Sequence, residues 1–380
     1  MTMRPHRGDT MTLRHTAIAL ALTGLAACGG PPPEVTVLRA PEGASLPQMV
    51  IDDAGVLQLI YYTGSMSSGN LWHVSRGPED DDWSSPQPVN SDEHSVHGLG
   101  PIDGGQLAVG PDGLLHATWF HKDPDRFYYA RTDHTGRFQE QQTLSMHEEK
   151  GIEAAPAVAV DDDGNVYVLW HSGGGAEADR QVHLAVSRQN GVVFDLPRPV
   201  SPPEHGACGC CGLRASVDDA GVLHVAYRAA GDNVRRGMRL LTSPDQGRTF
   251  EDALIQPWEI GACPVATTTF AEGDDRTLVA WETQGQIYVA DVEALEQPFS
   301  PPGEGAFRRK NPTVATNVAG DVLLAWGDGP GYQSGGTFHW QLFDDAGRPI
   351  GEPGGGEEPI PARSVPTVAS RPDGSFVVVY

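Results

Sequence analysis

The sequence is poor in basic residues, in aromatic residues and in long apolar segments. Lys and Arg total 26 of 380 residues against 50 Asp and Glu, which gives a formal net charge of −24. A surface this negative repels phosphate backbones and anionic headgroups, so nucleic acid is excluded as an expected partner. No stretch shows sustained helical periodicity, whereas 46 Gly and 31 Pro favour many short strands joined by turns.

The one marked apolar run lies near the N-terminus and is typical of an export signal. Residues 17–25 follow Arg4, Arg7 and Arg14 and are fewer than the roughly 20 residues that a membrane-spanning helix needs. The run ends in Leu25-Ala26-Ala27-Cys28-Gly29, which resembles a bacterial lipobox. The alternative is an ordinary signal peptide that happens to contain a cysteine.

The lipobox resemblance implies a domain order and a location. Residues 1–27 would be the signal peptide, residues 28–33 the lipidated Cys28 with a Gly/Pro tether, and residues 34–380 the folded domain. We therefore expect an exported protein held to the cell-envelope membrane by its lipid. Gly29 after the cysteine favours the outer membrane, facing the periplasm or the cell surface.

An internal repeat is the strongest structural feature of the chain. Seven times, a turn residue is followed six positions later by an aromatic residue that ends an apolar strand. The turn residues are Gly55, Gly113, Gly164, Gly221, Asp275, Gly320 and Gly374. The aromatic residues are Tyr61, Trp119, Trp170, Tyr227, Trp281, Trp326 and Tyr380, spaced 45 to 58 residues apart.

The repeat predicts an all-β fold, a β-propeller of four-stranded antiparallel blades. Each turn follows a short apolar strand such as residues 157–160, and a third strand such as residues 182–186 comes after a polar loop. A β-sandwich is the alternative. We expect seven blades, closed by residues 34–40 as a strand of the last one, with a three-stranded closing blade or a six-bladed ring as further possibilities.

One motif connects this repeat to a known family. Residues 243–250, Ser-Pro-Asp-Gln-Gly-Arg-Thr-Phe, resemble the Asp box (the bacterial neuraminidase, or BNR, repeat) of sialidases and their relatives. Degenerate versions recur at the same place in other repeats, in residues 133–138, 187–194 and 344–347. The resemblance implies a sialidase-like propeller in which the box stabilises a hairpin away from the active face.

A narrower resemblance covers residues 208–264. Sialidase-like bacterial envelope proteins often carry a Cys-x-Cys-Cys cluster, an aromatic-Arg pair, an Asn-x-Arg, an Asp box and a Cys-Pro. The matching residues here are Cys208, Cys210, Cys211, Tyr227, Arg228, Asn233, Arg235, Cys263 and Pro264. Gly209 and Gly212 stand where those relatives usually have Pro and Arg, so a role of that arginine is not carried over.

The propeller topology defines a candidate site. Loops between blades and loops between second and third strands share one face, which we call the loop face, and their polar residues converge near the axis. Candidate ligand-binding residues there are Arg214, Arg228, Asn233, Arg235, Arg309 and Arg363. Arg, Asn and Cys are densest in the fourth and fifth repeats, where we expect the site to be centred.

The cysteines have two interpretations. Apart from Cys28, four remain: Cys208, Cys210, Cys211 and Cys263. An even number in an oxidising compartment favours two disulfides, one of which could bridge neighbouring blades. The alternative is a transition-metal site formed by these thiolates with His94, His97 or His205; otherwise no cofactor is expected.

Sialidase chemistry needs an arginine cluster for the substrate carboxylate and a tyrosine paired with a glutamate as nucleophile. Tyr332 and Glu282 are the candidate catalytic pair, but the Arg-Ile-Pro motif of active sialidases is absent. Three functions therefore stay open: binding of a glycan or another small ligand without proven catalysis, which we favour; exo-sialidase-type glycoside hydrolysis; and metal binding through the Cys/His face. We expect a monomer.

Overall fold

The computed structural model describes residues 31–145, 154–303, 308–331 and 334–380, and Pro33–Tyr380 forms one compact unit. Cys28 and the predicted lipobox lie outside the described residues, as does Tyr332. The predictions for the signal, the tether and the lipid anchor therefore stay predictions. Within the described ranges, no helix has both the length and the apolar character needed to span a membrane.

The described strands form seven sheets. Strand β1 is Val35–Leu38. Blade one contains β2 (Ser45–Ile51), β3 (Leu57–Gly64), β4 (Gly69–Arg76) and β5 (Gln87–Pro88). Blade two contains β6 (Gly105–Val109), β7 (Leu115–His121), β8 (Arg126–Arg131) and β9 (Gln142–Thr143). Blade three contains β10 (Ala157–Val160), β11 (Val166–Gly173), β12 (Arg180–Ser187) and β13 (Arg198–Pro199).

The remaining blades follow in the same order. Blade four contains β14 (Arg214–Val217), β15 (Leu223–Arg228), β16 (Met238–Ser243) and β17 (Glu251–Gln256). Blade five contains β18 (Thr268–Gly273), β19 (Arg276–Thr283) and β20 (Gln286–Asp291). Blade six contains β21 (Arg309–Thr316), β22 (Val322–Asp328), β23 (Thr337–Phe343) and β24 (Pro349–Pro359). Blade seven contains β25 (Thr367–Ser370) and β26 (Phe376–Val379) together with β1. Two short 3-10 helices, Glu177–Asp179 and Pro203–His205, lie in loops.

The blades form a closed ring around an axis. Innermost strands of successive blades contact one another, and β25 of the last blade contacts β2 of the first. All seven innermost strands line a central cavity of about 340 Å³. The prediction of a seven-bladed β-propeller is confirmed.

The tight turns and aromatic positions of the repeat are also confirmed. The six turn glycines have left-handed backbone, with φ between 74° and 84°, which a side chain would disfavour. In blade five Asp275 belongs to a two-residue turn between β18 and β19. All seven repeat aromatics are buried, with at most 7% of their surface exposed, and they anchor the blades to one another.

The closing blade joins the two ends of the folded unit. Strand β1 pairs with β26, as the sequence predicts, but the two run parallel, in register from Val35 opposite Phe376. The connectivity explains why β1 and β26 are parallel. Strand β2 begins at the loop face, so β1, which precedes it, must end at the loop face. Strand β26 also ends there, and the two strands therefore run in the same direction.

Candidate functional site

A cavity of about 290 Å³ lies among the loops that gather on the loop face. Its walls come from the loops that lead into blades two, five and seven, from the start of β21, and from the β22–β23 loop of blade six. The apolar part of the wall consists of Leu99, Pro101, Ile102, Pro264, Val265 and Pro330. The polar part consists of Lys310, Asn311, Ser334, Arg363 and Ser364. We call this the axial cavity.

The backbone of the axial cavity is strained at three places. Val265, Asn311 and Arg363 have positive φ angles of 48°, 56° and 65°, a region in which non-glycine residues cost about 1–3 kcal/mol each. Each lies where an interblade loop meets an innermost strand, and the register of β21 shifts at Asn311. Such strain accumulates at ligand-binding sites, which favours this cavity as a functional one.

The two cations of the axial cavity differ in their partners. Lys310 Nζ lies 3.5 Å from Glu282 Oε2 and donates a 2.9 Å hydrogen bond to the Pro264 carbonyl. Arg363 is half-buried, and among the described residues its guanidinium has no acidic partner. The Arg363 charge acts on Tyr62. Burial and the charge of Asp103 raise the pKa of Tyr62 to about 12, and Arg363 opposes this increase. Arg363 is thus available to an anion.

Glu282, the glutamate of the candidate catalytic pair, is only 2% exposed. Burial raises the pKa of its carboxyl group, while Lys310 and Arg228 oppose the increase. Because Tyr332 lies outside the described residues, the Tyr332–Glu282 pair stays a prediction.

Two of the predicted ligand-binding arginines are structural in their contacts. Arg228 is 1% exposed and donates hydrogen bonds to the carbonyls of Arg236, at 3.0 Å, and of Glu282. Arg309 is 6% exposed and donates to the Pro301 carbonyl at 2.8 Å. Burial lowers the pKa of both guanidiniums. Their side chains donate hydrogen bonds to backbone carbonyls and do not line the axial cavity.

The other predicted residues are also dispersed. Arg214 lines the central cavity and donates to the Leu213 carbonyl at 2.8 Å. Arg235 pairs with Asp232 at 2.8 Å and lines a separate cavity of about 380 Å³ beside Trp258. Asn233 accepts a 3.2 Å hydrogen bond from the backbone N–H of Ala178. Of the six candidates, only Arg363 lines the axial cavity, which lies around blades two, five, six and seven and is not centred on blades four and five as expected.

The histidines of the metal hypothesis lie apart from the cysteines. His97 Nδ1 is 3.2 Å from Asp103 Oδ1, both of them buried, and His205 Nε2 is 3.4 Å from Asp252 Oδ2. His94 is exposed. Within the described ranges, the one group of side chains close enough to share a metal ion contains Cys208, Cys210 and Cys263 and no histidine.

The cysteines form one disulfide where two were expected. Cys210 and Cys263 are bonded, which confirms the cross-blade bridge between the loops that enter blades four and five. Cys208 and Cys211 are buried free thiols. Their Sγ atoms lie 3.2 Å apart, and Cys208 donates its hydrogen bond to Cys211. The second disulfide is therefore corrected to a hydrogen-bonded pair of thiols.

Charged side chains surround these thiols. Arg236 Nη1 lies 3.1 Å from Cys208 Sγ, and Arg236 Nη2 lies 2.5 Å from Glu177 Oε2. Hydrogen bonding to Cys211 and burial raise the pKa of Cys208. Burial alone would raise the pKa of Cys211, but the hydrogen bond from Cys208 and the charge of Arg228 lower it below the usual range.

Sequence reasoning missed several of these residues. Lys310 and Asn311 form part of the axial cavity, and Glu177 and Arg236 contact the thiols. Arg236 directly follows Arg235 in the Asn-x-Arg-Arg segment, so its neighbour was singled out in its place. Glu177 lies in a Gly/Ala-rich loop and carries no motif that could have identified it.

Known proteins share the fold of this chain at low sequence identity. A protein of unknown function from Dyadobacter fermentans has a TM-score of 0.52 and 14% identity, covering 83% of this chain and 95% of its own. The GH93 α-L-arabinofuranosidase of Fusarium graminearum, in complex with arabinobiose, has a TM-score of 0.51 and 10% identity over 78% of this chain and 92% of its own. A PL25 ulvan lyase has a TM-score of 0.51 and 9% identity over 89% and 86%. No protein-family model matches the sequence, and no curated protein matches it.

Proposed function

We propose that this protein is a sialidase-like propeller of the bacterial envelope, exported and lipid-anchored through Cys28, that binds an acidic saccharide in the axial cavity. The observation that carries the proposal is the Arg363 guanidinium, which lines this cavity without an acidic partner among the described residues. An arginine of this kind suits a carboxylate, which it can hold by two parallel hydrogen bonds. The binding requires no cofactor.

Several features of the axial cavity support a saccharide as the ligand. Its apolar walls and few convergent polar groups are typical of small-molecule sites. Ser334 supplies a hydroxyl group to its lining, and Lys310 lies there as well, paired with Glu282. In a chain with a net charge of −24, a cation without an acidic partner among the described residues forms a local attraction for anions. Proteins with this fold include the arabinofuranosidase and the ulvan lyase, which act on saccharides.

We favour binding over sialoside hydrolysis. A sialidase mechanism requires several arginines on one carboxylate, whereas Arg228 and Arg309 are engaged with backbone carbonyls. Glu282 is buried and paired with Lys310, so it would have to exchange partners before assisting a tyrosine nucleophile. Hydrolysis by the Tyr332–Glu282 pair is thus the weaker alternative.

Isothermal titration calorimetry with three saccharides tests the proposal: sialyllactose, a glucuronate-containing oligosaccharide and neutral arabinobiose. We expect binding of at least one acidic saccharide and none of arabinobiose. Arg363→Gln should weaken that binding at least about 10-fold, the loss expected for a hydrogen bond to a charged group. The matched control is Arg235→Gln, whose side chain is 58% exposed and lies in a different cavity.

Two outcomes would contradict the saccharide proposal: no binding of either acidic saccharide, or equal affinity of the Arg363→Gln variant. Release of free sugar by the unmodified protein, and not by Glu282→Gln, would instead establish hydrolysis. The anchor is tested separately by mass spectrometry of the membrane fraction. A lipid mass on the N-terminal peptide that Cys28→Ser removes is the expected result.

A further inference from the structure

The thiols and the disulfide of the loop face form a compact sulfur cluster that the proposed saccharide site does not use. Cys208 is its centre: its Sγ atom lies 3.2 Å from that of Cys211, 3.6 Å from that of Cys210 and 3.9 Å from that of Cys263. A disulfide alone would not require two further thiols in contact with it. Cys208 and Cys211 are fully buried, while Cys263 is not, so the cluster is accessible from the Cys263 side.

We propose that the sulfur atoms of Cys208, Cys210 and Cys263 bind one soft metal ion, Cu(I), when the Cys210–Cys263 disulfide is reduced. Thiolate sulfurs about 2.3 Å from a shared metal lie roughly 3.8–4.0 Å from one another. The separations of Cys208 from Cys210 and from Cys263 already approach this value. The third separation opens when the disulfide is broken, and the Cα atoms, 6.7 Å apart, leave room for this by side-chain rotation.

The surroundings of the cluster combine a guanidinium, which favours a thiolate at Cys208, with the Glu177 carboxylate, whose Oε1 atom lies 3.7 Å from Cys208 Sγ and opposes that charge. Arg236, itself only 4% exposed, places Nη1 3.1 Å from Cys208 Sγ. Its other nitrogen is held by Glu177, whose Oε1 atom lies 3.5 Å from Cys210 Sγ. The backbone N–H of Ala266 points at Cys211 Sγ at 3.4 Å. N–H groups aimed at sulfur are the usual outer contacts of metal–thiolate centres, where they orient the ligands and stabilise their charge.

The ligand set selects the metal. The group contains three cysteine sulfurs, and no histidine of the described residues joins them. Thiolates bind both zinc and Cu(I), but zinc prefers four ligands in tetrahedral geometry, so a set of three thiolates favours Cu(I). Cys211 stays outside this group of three and serves as the hydrogen-bond partner of Cys208.

Cu(I) binding first requires an external dithiol that reduces the Cys210–Cys263 disulfide. That reductant passes two electrons to the Cys210–Cys263 bond and is oxidised to its own disulfide, leaving two cysteine thiols. Cu(I) then forms bonds to three sulfurs and displaces three protons. The product carries two negative charges, and the Arg236 guanidinium, which it shares with Glu177, lies next to Cys208 and attracts them. The oxidised protein cannot form this complex, so the disulfide gates the site.

Anaerobic titration of the full-length protein, purified in detergent, tests the proposal. After treatment with dithiothreitol and its removal, Cu(I) is added against the chromophoric competitor bicinchoninate. We expect one equivalent to bind, with an ultraviolet thiolate-to-copper absorption band. The same protein without reduction should bind none at this site. Cys263→Ser should abolish the stoichiometric binding, whereas Cys211→Ser should retain it.

Circular dichroism of each variant shows whether it is folded, and Cys263→Ser replaces a thiol with a hydroxyl group at a position that is not buried. Failure of the reduced protein to withdraw copper from bicinchoninate would overturn the proposal, as would full binding by folded Cys263→Ser. Tight binding of Zn(II) with no Cu(I) uptake would overturn the assignment of the metal. Loss of binding in a folded Cys211→Ser variant would overturn the three-sulfur ligand set.

Discussion

The two faces of the propeller are built in different ways. On the face opposite the loop face, which we call the turn face, the same hairpin chemistry recurs from blade to blade. Asp52, Asp161 and Asp218 each accept backbone N–H bonds within their turns, and a glycine follows three residues later. The loop face has a weaker repeat, since Leu46, Val265, Asn311 and Arg363 all have positive φ near the start of an innermost strand. Its cavity and its sulfur cluster each occur at particular blades. The framework is thus specified by repetition, and the candidate sites by departures from it.

This comparison implies that the framework carries most of the stability, and a core substitution tests that with the largest expected effect. Trp281 is 1% exposed, stacks on Tyr288 and donates a 2.6 Å hydrogen bond to Gln256. Trp281→Ala should lower the free energy of unfolding by about 3–5 kcal/mol. Trp258→Ala, at a half-buried position on the loop face, is the control and should cost much less. Urea unfolding measures both, and an equal loss would contradict the comparison.

A buried histidine gives the next largest effect and depends on pH. His116 is fully buried with Nδ1 2.6 Å from the Tyr129 hydroxyl, and burial lowers its pKa to about 4. The unfolded chain protonates this group near pH 6.5, so stability is complete above that pH and is lost as the pH falls towards 4. Between pH 7 and pH 4.5 this one group should remove about 2–3 kcal/mol.

The variant His116→Gln isolates that contribution. Its free energy of unfolding should fall less between pH 7 and pH 4.5 than that of the unmodified protein, because no proton is taken up at this position. His134→Gln, at an exposed position, is the matched control and should keep the full decrease. Parallel pH profiles for His116→Gln and the unmodified protein would count against the assignment.

A glycine pair compares the two faces directly. Gly221 on the turn face has φ of +77° with no atom within 4 Å of a built Cβ, whereas Gly175 on the loop face has equally open space and no positive φ. Gly221→Ala should therefore cost about 1–2 kcal/mol through backbone strain alone, and Gly175→Ala close to nothing. Equal melting temperatures of the two variants would show that the turn does not need its left-handed residue.

Much of the framework could be predicted because it is encoded locally. A turn residue, glycine in six of the seven repeats, and a buried aromatic residue six positions later identify two paired strands, and seven copies identify a ring. The direction of β1 in the closing blade could not be predicted in this way. Strand β1 runs parallel to β26 because the chain must next reach the loop face to begin β2, and no local sequence pattern shows this.

The candidate site was harder to predict, because a loop position does not tell where a side chain points. Arg228 and Arg363 both belong to loop-face segments, yet one is 1% exposed against backbone carbonyls and the other lines the axial cavity. The cross-blade disulfide followed from cysteine parity and blade order. The free thiols did not, because parity alone cannot show that Cys208 would be held by Arg236 and Cys211.

The smallest expected effect lies in the hairpin of residues 243–250 on the turn face. Asp245 Oδ1 accepts backbone N–H bonds from Arg248 at 3.0 Å and Thr249 at 2.8 Å, and Ser243 Oγ accepts one from Gly247 at 2.9 Å. Hydrogen bonds from Thr249 lead the contacts that hold the pKa of Asp245 well below its ordinary value. Asp245→Asn should lower the melting temperature slightly at pH 7, since an amide accepts these bonds less strongly than a carboxylate.

The lowered pKa of Asp245 determines how its contribution to stability depends on pH. The stabilisation by Asp245 is present above the pKa of the unfolded aspartate, about 3.9, and is lost as the pH falls through the lower folded value. The difference in melting temperature between the unmodified protein and Asp245→Asn should thus hold from pH 7 to pH 5 and shrink below pH 4. Asp162→Asn, at an exposed position of a neighbouring turn, controls for the change in net charge. A difference that persists unchanged at pH 3 would mean that the hairpin does not depend on the ionised carboxylate, and that the turn face is held by glycine geometry alone.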